Sequence, residues 1–343
     1  MATVVANYDG PLYLAVAKSM YSQSALNSFE FSLPGQYYAA HFPLFPILIR
    51  LFSFLMGYPY AMLFITLLSS ILAIYFFYRL AREYLDEKKA LWLTLVFSIF
   101  PARFLIVRSV GSPDPLFVAA IIASLIYFRK EKYLLAGIWG AVAQLTKSPG
   151  ILLFLAYVCT IIASKFNKIM LNKPVEWLSS LELKKYFPIL LIPLSLLAVF
   201  IFYGFVFKDF FAYFHSGDNI HLFFPPFQIF NYSAPWVGTF WLEEVIFVYL
   251  FAILGLLRLV SFKEKVLSWF VGISLVSLIC VSHRDIIRYA LPIVPFIILS
   301  FSEVIIKKEF KIVMAVLTIP ILLFSLAYIS QNVMPISNWA PFL

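Results

Sequence analysis

Two aspartates stand at turns that precede apolar segments. Asp9 lies in an Asp-Gly-Pro turn, and Asp114 follows Ser112 in a Ser-Pro-Asp-Pro turn. Aspartate is a favoured helix N-cap, so each residue is expected to begin a helix. A carboxylate held there can also accept a proton as a general base, and the two roles are compatible. Asp9 is therefore a candidate base. Asp114, flanked by prolines, is expected to have a partner or a cavity.

Cationic side chains form a second set of candidates. Lys147 interrupts two short apolar segments in a Thr-Lys-Ser-Pro-Gly break. Exposed backbone amides and an ammonium group both favour anions, so this break is a candidate phosphate site, and a snorkelling lysine is the alternative. Arg288 is expected to bind phosphate or to pair with Asp285. Arg103 and Arg108 precede Asp114 and are further candidate phosphate ligands.

A long loop at 207–240 carries His215, Asp218 and His221 at spacings of three. On one helical face they would resemble a metal site. Aromatic interfacial helices often carry such polar residues, so contacts of this loop with an acceptor are the favoured interpretation. We predict no metal site and no cofactor, with a divalent metal at this cluster as the alternative.

The composition decides which elements position these residues. The chain has 343 residues, 63% hydrophobic and 13% charged, with a mean hydropathy of +0.93. Soluble domains are less apolar and about twice as charged, so a soluble, disordered, coiled-coil or collagen-like protein is excluded. An all-α polytopic membrane protein is predicted. About ten crossings are expected, with spans near 60–78, 90–106, 113–128, 149–164, 186–206, 241–259, 266–282, 290–306 and 311–329. The stretch 133–146 is short for a span and is expected to form, with 149–164, two helices broken at 145–150.

The basic residues predict the sidedness. Most of the 26 Lys and Arg residues fall in alternate loops, which the positive-inside rule assigns to the cytoplasm. All four histidines and every aspartate except Asp86 then lie at the extracytoplasmic face, so any chemistry is expected there. The net charge of +9 is explained by topology and not by nucleic acid binding.

The remaining segments complete a single domain at 1–343. We predict an outer loop with an interfacial helix at 1–41, a half-embedded helix at 42–57 and a surface segment at 165–185.

Five short motifs follow one another along the chain: Asp-Gly-x-x-Tyr-x-x-x-Ala, His-Phe-Pro-Leu-Phe-Pro-x-x-x-Arg, Ser-Pro-Asp-Pro-Leu-Phe, Leu-Thr-Lys-Ser-Pro-Gly and Arg-Tyr-x-Leu-Pro-x-x-Pro. Their order resembles that of the GT-C glycosyltransferases, in particular the mannosyltransferase relatives of the RgtA/ArnT-like and PIG-V-like groups. The motifs extend from position 9 to about 296 and are expected on one face.

The resemblance implies transfer of a sugar, mannose or a similar hexose, from a polyprenyl-phosphate carrier, with inversion. The acceptor would be a glycan, a lipid or a protein. Asp9 would match the family's catalytic base, and Asp114 its second acidic position, a second catalytic carboxylate that would orient the acceptor or share the base role. Lys147 and His41 would lie near the lipid phosphate.

Two further expectations remain. The family's first aspartate follows a complete transmembrane helix, whereas only eight residues precede Asp9, so that helix is expected to be missing. The alternative functions are a lipid or glycan flippase or transporter, and a non-catalytic membrane scaffold. The clustering of charge at one face and the lack of an internal repeat favour the enzyme.

Overall fold

The computed structural model describes residues 1–31, 33–165, 183–234, 236 and 241–343. Within these ranges the chain forms helices and no β-strand. The predicted surface segment at 165–185 lies almost wholly outside the described residues. The α-helices of ten residues or more are Gly10–Ser19, Leu44–Met56, Tyr58–Ala81, Glu87–Ile99, Asp114–Arg129, Tyr133–Thr146, Ile151–Lys165, Leu191–Val206, Trp241–Ser261, Lys265–Ile279 and Lys308–Gln331.

Four of the described helical segments are long and apolar enough to cross a bilayer. They are Tyr58–Ala81, Leu183–Val206, Leu242–Ser261 and Lys308–Gln331. A fifth span arises if Glu87–Ile99 and Ala102–Arg108, which meet at a bend of 74°, are taken as one. The all-helical, multi-pass architecture is confirmed, whereas the count of ten spans is not.

Several predicted spans are shorter or broken because polar residues and prolines interrupt them. The stretch at 133–146, expected to be short and to end in a break, forms Tyr133–Thr146, which has 14 residues and ends at Lys147. The predicted span at 290–306 is divided into Val294–Ser300 and Ser302–Ile305. The half-embedded segment at 42–57 forms the helix Leu44–Met56, which has 13 residues. At 1.5 Å per residue such helices do not cross a bilayer core on their own.

Helix Asp114–Arg129 lies at the centre of the larger core. Almost all of its side chains are buried, and it packs mainly against Tyr58–Ala81 and Tyr133–Thr146. Small residues on Tyr133–Thr146 allow close approach. A Cβ on Gly140, for example, would lie 3.3 Å from Oγ of Ser124. Because both neighbours fix this helix, the position of its first residue, Asp114, is fixed too.

A second core holds the segment that follows Asp9. Helix Gly10–Ser19 is buried along nearly its whole length and packs against Leu44–Met56. Arg50 on that neighbour donates to the carbonyls of Ala17 and Lys18, at 3.2 and 2.9 Å, and so satisfies the helix C-terminus. The predicted interfacial helix is therefore packed against the protein.

Candidate active site

Asp114 is the centre of a buried ion cluster. Its Oδ1 accepts from Nζ of Lys147 at 2.7 Å and its Oδ2 accepts from Nε of Arg288 at 2.8 Å. Oγ of Ser112 donates to the same Oδ2 at 2.8 Å. Asp114 is only 3% exposed, and burial disfavours a charged carboxylate, but the contacts with Arg288 and Lys147 outweigh this and keep it ionised. Its oxygens are occupied by donors, which suits an anchor for cations better than a proton acceptor.

Local structure holds this carboxylate in place. The backbone N–H of Ser112 donates to Oγ1 of Thr66 on helix Tyr58–Ala81 at 3.2 Å. Pro113 and Pro115 flank Asp114, and proline is well tolerated in the first helical turn because no intrahelical donor is lost. The expected helix start at Asp114 is thus present, and Ser112, which sequence reasoning did not single out, is part of the site.

Asp9 lies beside this cluster with a freer carboxylate. Its Oδ2 is 3.6 Å from Nη1 of Arg288, and its side chain is 39% exposed. Asp9 occupies the N-cap position of helix Gly10–Ser19, yet its side chain makes no capping hydrogen bond. The carboxylate therefore remains available to accept a proton from a bound hydroxyl group.

The break at Lys147 joins the outer loop to the site. Helix Tyr133–Thr146 ends there, and Oγ of Ser148 lies 2.7 Å from the Tyr213 hydroxyl, which also accepts from the N–H of Ile220 at 3.3 Å. This tie holds the loop that contains Asp218 over the cations. Lys147 donates one hydrogen bond to Asp114 among the described residues, which leaves ammonium protons for an anionic ligand.

His41 and Asp218 line the same region, and the pKa of each differs from its ordinary value. The His41 ring is 2% exposed and lies 4.8 Å, edge to face, from that of Tyr13. Burial lowers the pKa of His41 to about 4, so the imidazole is neutral near pH 7. Withdrawal from water, together with the charge of Asp9, raises the pKa of Asp218 to about 6. Asp218 also interacts with Tyr37.

An apolar cleft with a cavity volume of about 50 Å³ leads away from the cations. Asp114, Lys147 and Arg288 lie at its polar end. The rest of the wall comes mostly from helices Asp114–Arg129, Ile151–Lys165 and Lys265–Ile279. Its apolar lining includes Phe117, Ile121, Leu152, Phe270, Leu278 and Val281. A cleft with cations at one end and hydrocarbon walls suits an amphipathic ligand whose head is an anion.

Other predicted site residues lie outside this constellation. Arg103 pairs with Asp285 at 3.2 Å, and the structure shows no ion pair for Arg108 within the described ranges. His215 is exposed and pairs with Asp209 at 2.7 Å, whereas the exposed His221 ring lies 6.2 Å from that of Phe223. Within the described residues, no group of three or more His, Cys, Asp or Glu side chains is arranged to hold a metal ion.

Comparison with known proteins identifies the fold. Residues 40–183 match the family model of dolichyl-phosphate-mannose-protein mannosyltransferases. This range includes His41, Asp114 and Lys147 but not Asp9 or Arg288. No curated protein matches the sequence.

The chain is also similar to ArnT from Cupriavidus metallidurans, solved in the apo state, with 13% identity and a TM-score of 0.53. The alignment covers 88% of this chain and 56% of ArnT, so the chain spans little more than half the length of that structure. The match shows that the chain has the GT-C fold. The resemblance drawn from the motifs is therefore confirmed for the fold.

Proposed function

We propose that this chain is an inverting membrane glycosyltransferase. It transfers a sugar, mannose or a similar hexose, from a polyprenyl-phosphate carrier to an acceptor at the extracytoplasmic face. The observation that carries the proposal is the placement of Asp9, a half-exposed carboxylate whose Oδ2 is 3.6 Å from Nη1 of Arg288, the arginine that lines the polar end of an apolar cleft.

The apolar cleft matches the isoprenoid chain of the donor, and the cations match its phosphate. The isoprenoid chain would lie against residues such as Phe117 and Ile121, where burial of apolar surface stabilises binding by about 25 cal/mol per Å². The phosphate would lie against Lys147 and Arg288, whose positions Asp114 fixes. Asp114 acts in this scheme as a positioning residue, which revises its assignment as a second catalytic carboxylate.

The reaction needs a base and a stabilised leaving group. The acceptor oxygen forms a bond to the anomeric carbon as the bond from that carbon to the phosphate oxygen breaks. Asp9 takes the acceptor hydroxyl proton, and the bond electrons leave with the lipid phosphate. The developing phosphate charge is stabilised by Lys147 and Arg288, which are already in place and need no reorganisation. His41, neutral near pH 7, would contribute a hydrogen bond and not a charge.

The loop at 207–240 would receive the acceptor. Asp218 faces the same region as Asp9, so an acceptor hydroxyl directed at Asp9 would pass close to it. His215 and His221 would contact the more distant part of a glycan, a lipid or a protein acceptor. The match to the mannosyltransferase family model supports the polyprenyl-phosphate donor class.

The test is sugar transfer in membranes or proteoliposomes with a panel of polyprenyl-phosphate hexoses. Asp9→Asn keeps the shape and removes the base, and turnover is expected to fall by about 10²- to 10⁴-fold. Asp86→Asn, whose carboxylate pairs with the exposed Lys89 at the start of helix Glu87–Ile99, is the matched control and should retain activity. Lipid or glycan movement across the bilayer that survives Asp9→Asn, without consumption of any donor, would instead identify a flippase or transporter.

A further inference from the structure

Tyr8, the residue directly before Asp9, lies between two arginines. The guanidinium carbon of Arg288 is 4.3 Å from the centre of its ring, and Nη1 of Arg103 donates to its hydroxyl at 2.7 Å. We infer that Tyr8 is a positioning residue, whose ring and hydroxyl hold these arginines so that Arg288 reaches Asp9 and Asp114 together. This inference rests on the proposed function and assigns a role to a residue outside the reacting groups.

The ring acts on Arg288. A guanidinium over an aromatic face is attracted by the ring quadrupole, most strongly where water is excluded. Nε of Arg288 donates to Asp114 at 2.8 Å, and Nη1 faces Asp9 at 3.6 Å. The Tyr8 ring lies on one face of the Arg288 guanidinium, and the two carboxylates lie around its edge. These contacts limit the long, flexible Arg288 side chain to one orientation. Arg288 lines the apolar cleft in this orientation, so its remaining N–H groups are available to a phosphate at the polar end.

The hydroxyl acts through Arg103. That arginine also pairs with Asp285 at 3.2 Å and lies 4.2 Å over the ring of Tyr328. Nη1 of Arg103 is thus engaged by the Tyr8 hydroxyl and Nη2 by Asp285, so both ends of its guanidinium support these two residues. The sequence-based expectation that Arg103 binds the donor phosphate is therefore replaced by a supporting role.

The backbone around Tyr8 needs this support. Tyr8 has a φ of +48°, in the left-handed region that non-glycine residues seldom adopt. On its other side, Nδ2 of Asn7 donates to the carbonyl of Ile329 at 2.7 Å. The turn that presents Asp9 is thus held by Asn7 through the last long helix and by Tyr8 through the two arginines. A change at Tyr8 should move Asp9 as well as Arg288.

The experiment compares variants at Tyr8. Tyr8→Phe keeps the ring and removes the hydroxyl, whereas Tyr8→Leu removes both, with Tyr8→Met as a second variant if the first does not fold. Tyr133→Leu is the matched control. It is a half-buried tyrosine at the end of helix Tyr133–Thr146 opposite Lys147. Two readouts are used: kcat for sugar transfer, and labelling of the Asp9 carboxylate by a carbodiimide and an amine, measured by mass spectrometry.

The expected results distinguish the role of the Tyr8 ring from that of its hydroxyl. Tyr8→Leu should lower kcat by about 10- to 100-fold, because small displacements of reacting groups have effects of this size. It should also increase labelling of Asp9. Tyr8→Phe should lower kcat by less than about tenfold, the effect of one hydrogen bond, and leave labelling unchanged. Tyr133→Leu should match the parent in both readouts.

Each other outcome has a distinct meaning. If the parent transfers sugar and Tyr8→Leu equals Tyr133→Leu in both readouts, the positioning role is wrong and the proposed function stands. If Tyr8→Phe lowers kcat as much as Tyr8→Leu does, the ring does not hold Arg288. If no donor supports transfer by the parent, yet labelling of Asp9 rises only when the ring is removed, the proposed function fails and the positioning role is supported.

Discussion

Lys147 and Asp114 form an ion pair of 2.7 Å in which the carboxylate side chain is 4% exposed and the lysine side chain 18%. The same carboxylate holds Arg288, so one negative charge fixes two cations at the head of the apolar cleft. Removing that charge should disturb these cations more than it disturbs Asp9, the proposed base.

Asp114→Asn should therefore destabilise the protein. It leaves Lys147 and Arg288 close together without their shared counter-charge, and breaking a buried ion pair in this way costs about 3–5 kcal/mol. Unfolding of the purified protein in detergent, by heat or by denaturant, measures this loss. Asp86→Asn is the control, since Asp86 pairs with Lys89 at the surface and should show no measurable change. An Asp114→Asn protein as stable as the parent would show that the cluster does not need the charge.

Asp218 should make stability fall as pH rises. Its pKa is raised from an ordinary 3.8 to about 6 by withdrawal from water and by Asp9, with Arg288 acting in the opposite direction. Between pH 4 and 6 the folded protein retains a proton that the unfolded chain releases, so ionisation costs stability in this window. Asp218→Asn should be more stable than the parent at pH 7 and not at pH 4. Melting temperatures of the parent and of Asp218→Asn, measured from pH 4 to pH 7, test this prediction. A difference between the two proteins that stays constant with pH would contradict it.

His41 should have the opposite effect. Its pKa is lowered from 6.5 to about 4, mainly by burial and also by Arg288 and Lys147, whereas Asp9 raises it. Between pH 6.5 and 4 the unfolded chain binds a proton that the folded protein does not, so stability falls as the pH falls through this range. His41→Gln should remove that loss, so its melting temperature relative to the parent should be higher at pH 4.5 than at pH 7.5. A constant difference would mean that His41 titrates normally.

Gly150 should not tolerate a side chain. A Cβ there would lie 2.5 Å from both Cα and N of Gln144, which are backbone atoms of the preceding helix. Gly150→Ala should destabilise the protein by about 1–3 kcal/mol, as overpacking does, and displace the turn that carries Lys147. Gly272→Ala is the matched control, because its Cβ meets Leu256 at an ordinary 3.7 Å. Alanine in that helix should be neutral or stabilising by up to about 1 kcal/mol.

The apolar cleft should discriminate donors by chain length. Ser277 lines it, and Ser277→Phe should narrow the space for an isoprenoid. KM for a long-chain donor should rise by roughly tenfold, equivalent to about 1.4 kcal/mol, with less effect on a donor of one or two isoprene units. Ser330→Phe, on the exposed surface of the last long helix, is the control. An equal rise for short and long donors would mean that the lipid chain binds elsewhere.

Sequence reasoning found most of the site's charged members because polar residues in an apolar chain are conspicuous. Asp9, Asp114, Lys147 and Arg288 stand at turns or breaks where the hydrophobic pattern stops, and burial of a charge demands a partner. Tyr8 and Ser112 were missed because tyrosine and serine are common in such chains. Their roles depend on which side chains stand opposite them.

The amino-acid sequence by itself determined the class of the protein. An excess of apolar residues requires a membrane-embedded helical bundle, since backbone groups in lipid must be paired internally. The tertiary structure alone decided which charges meet. Asp114 and Arg288 are 174 positions apart along the chain, and their contact depends on how the helices pack. Only that packing distinguished Asp9, half-exposed beside one cation, from Asp114, buried between two.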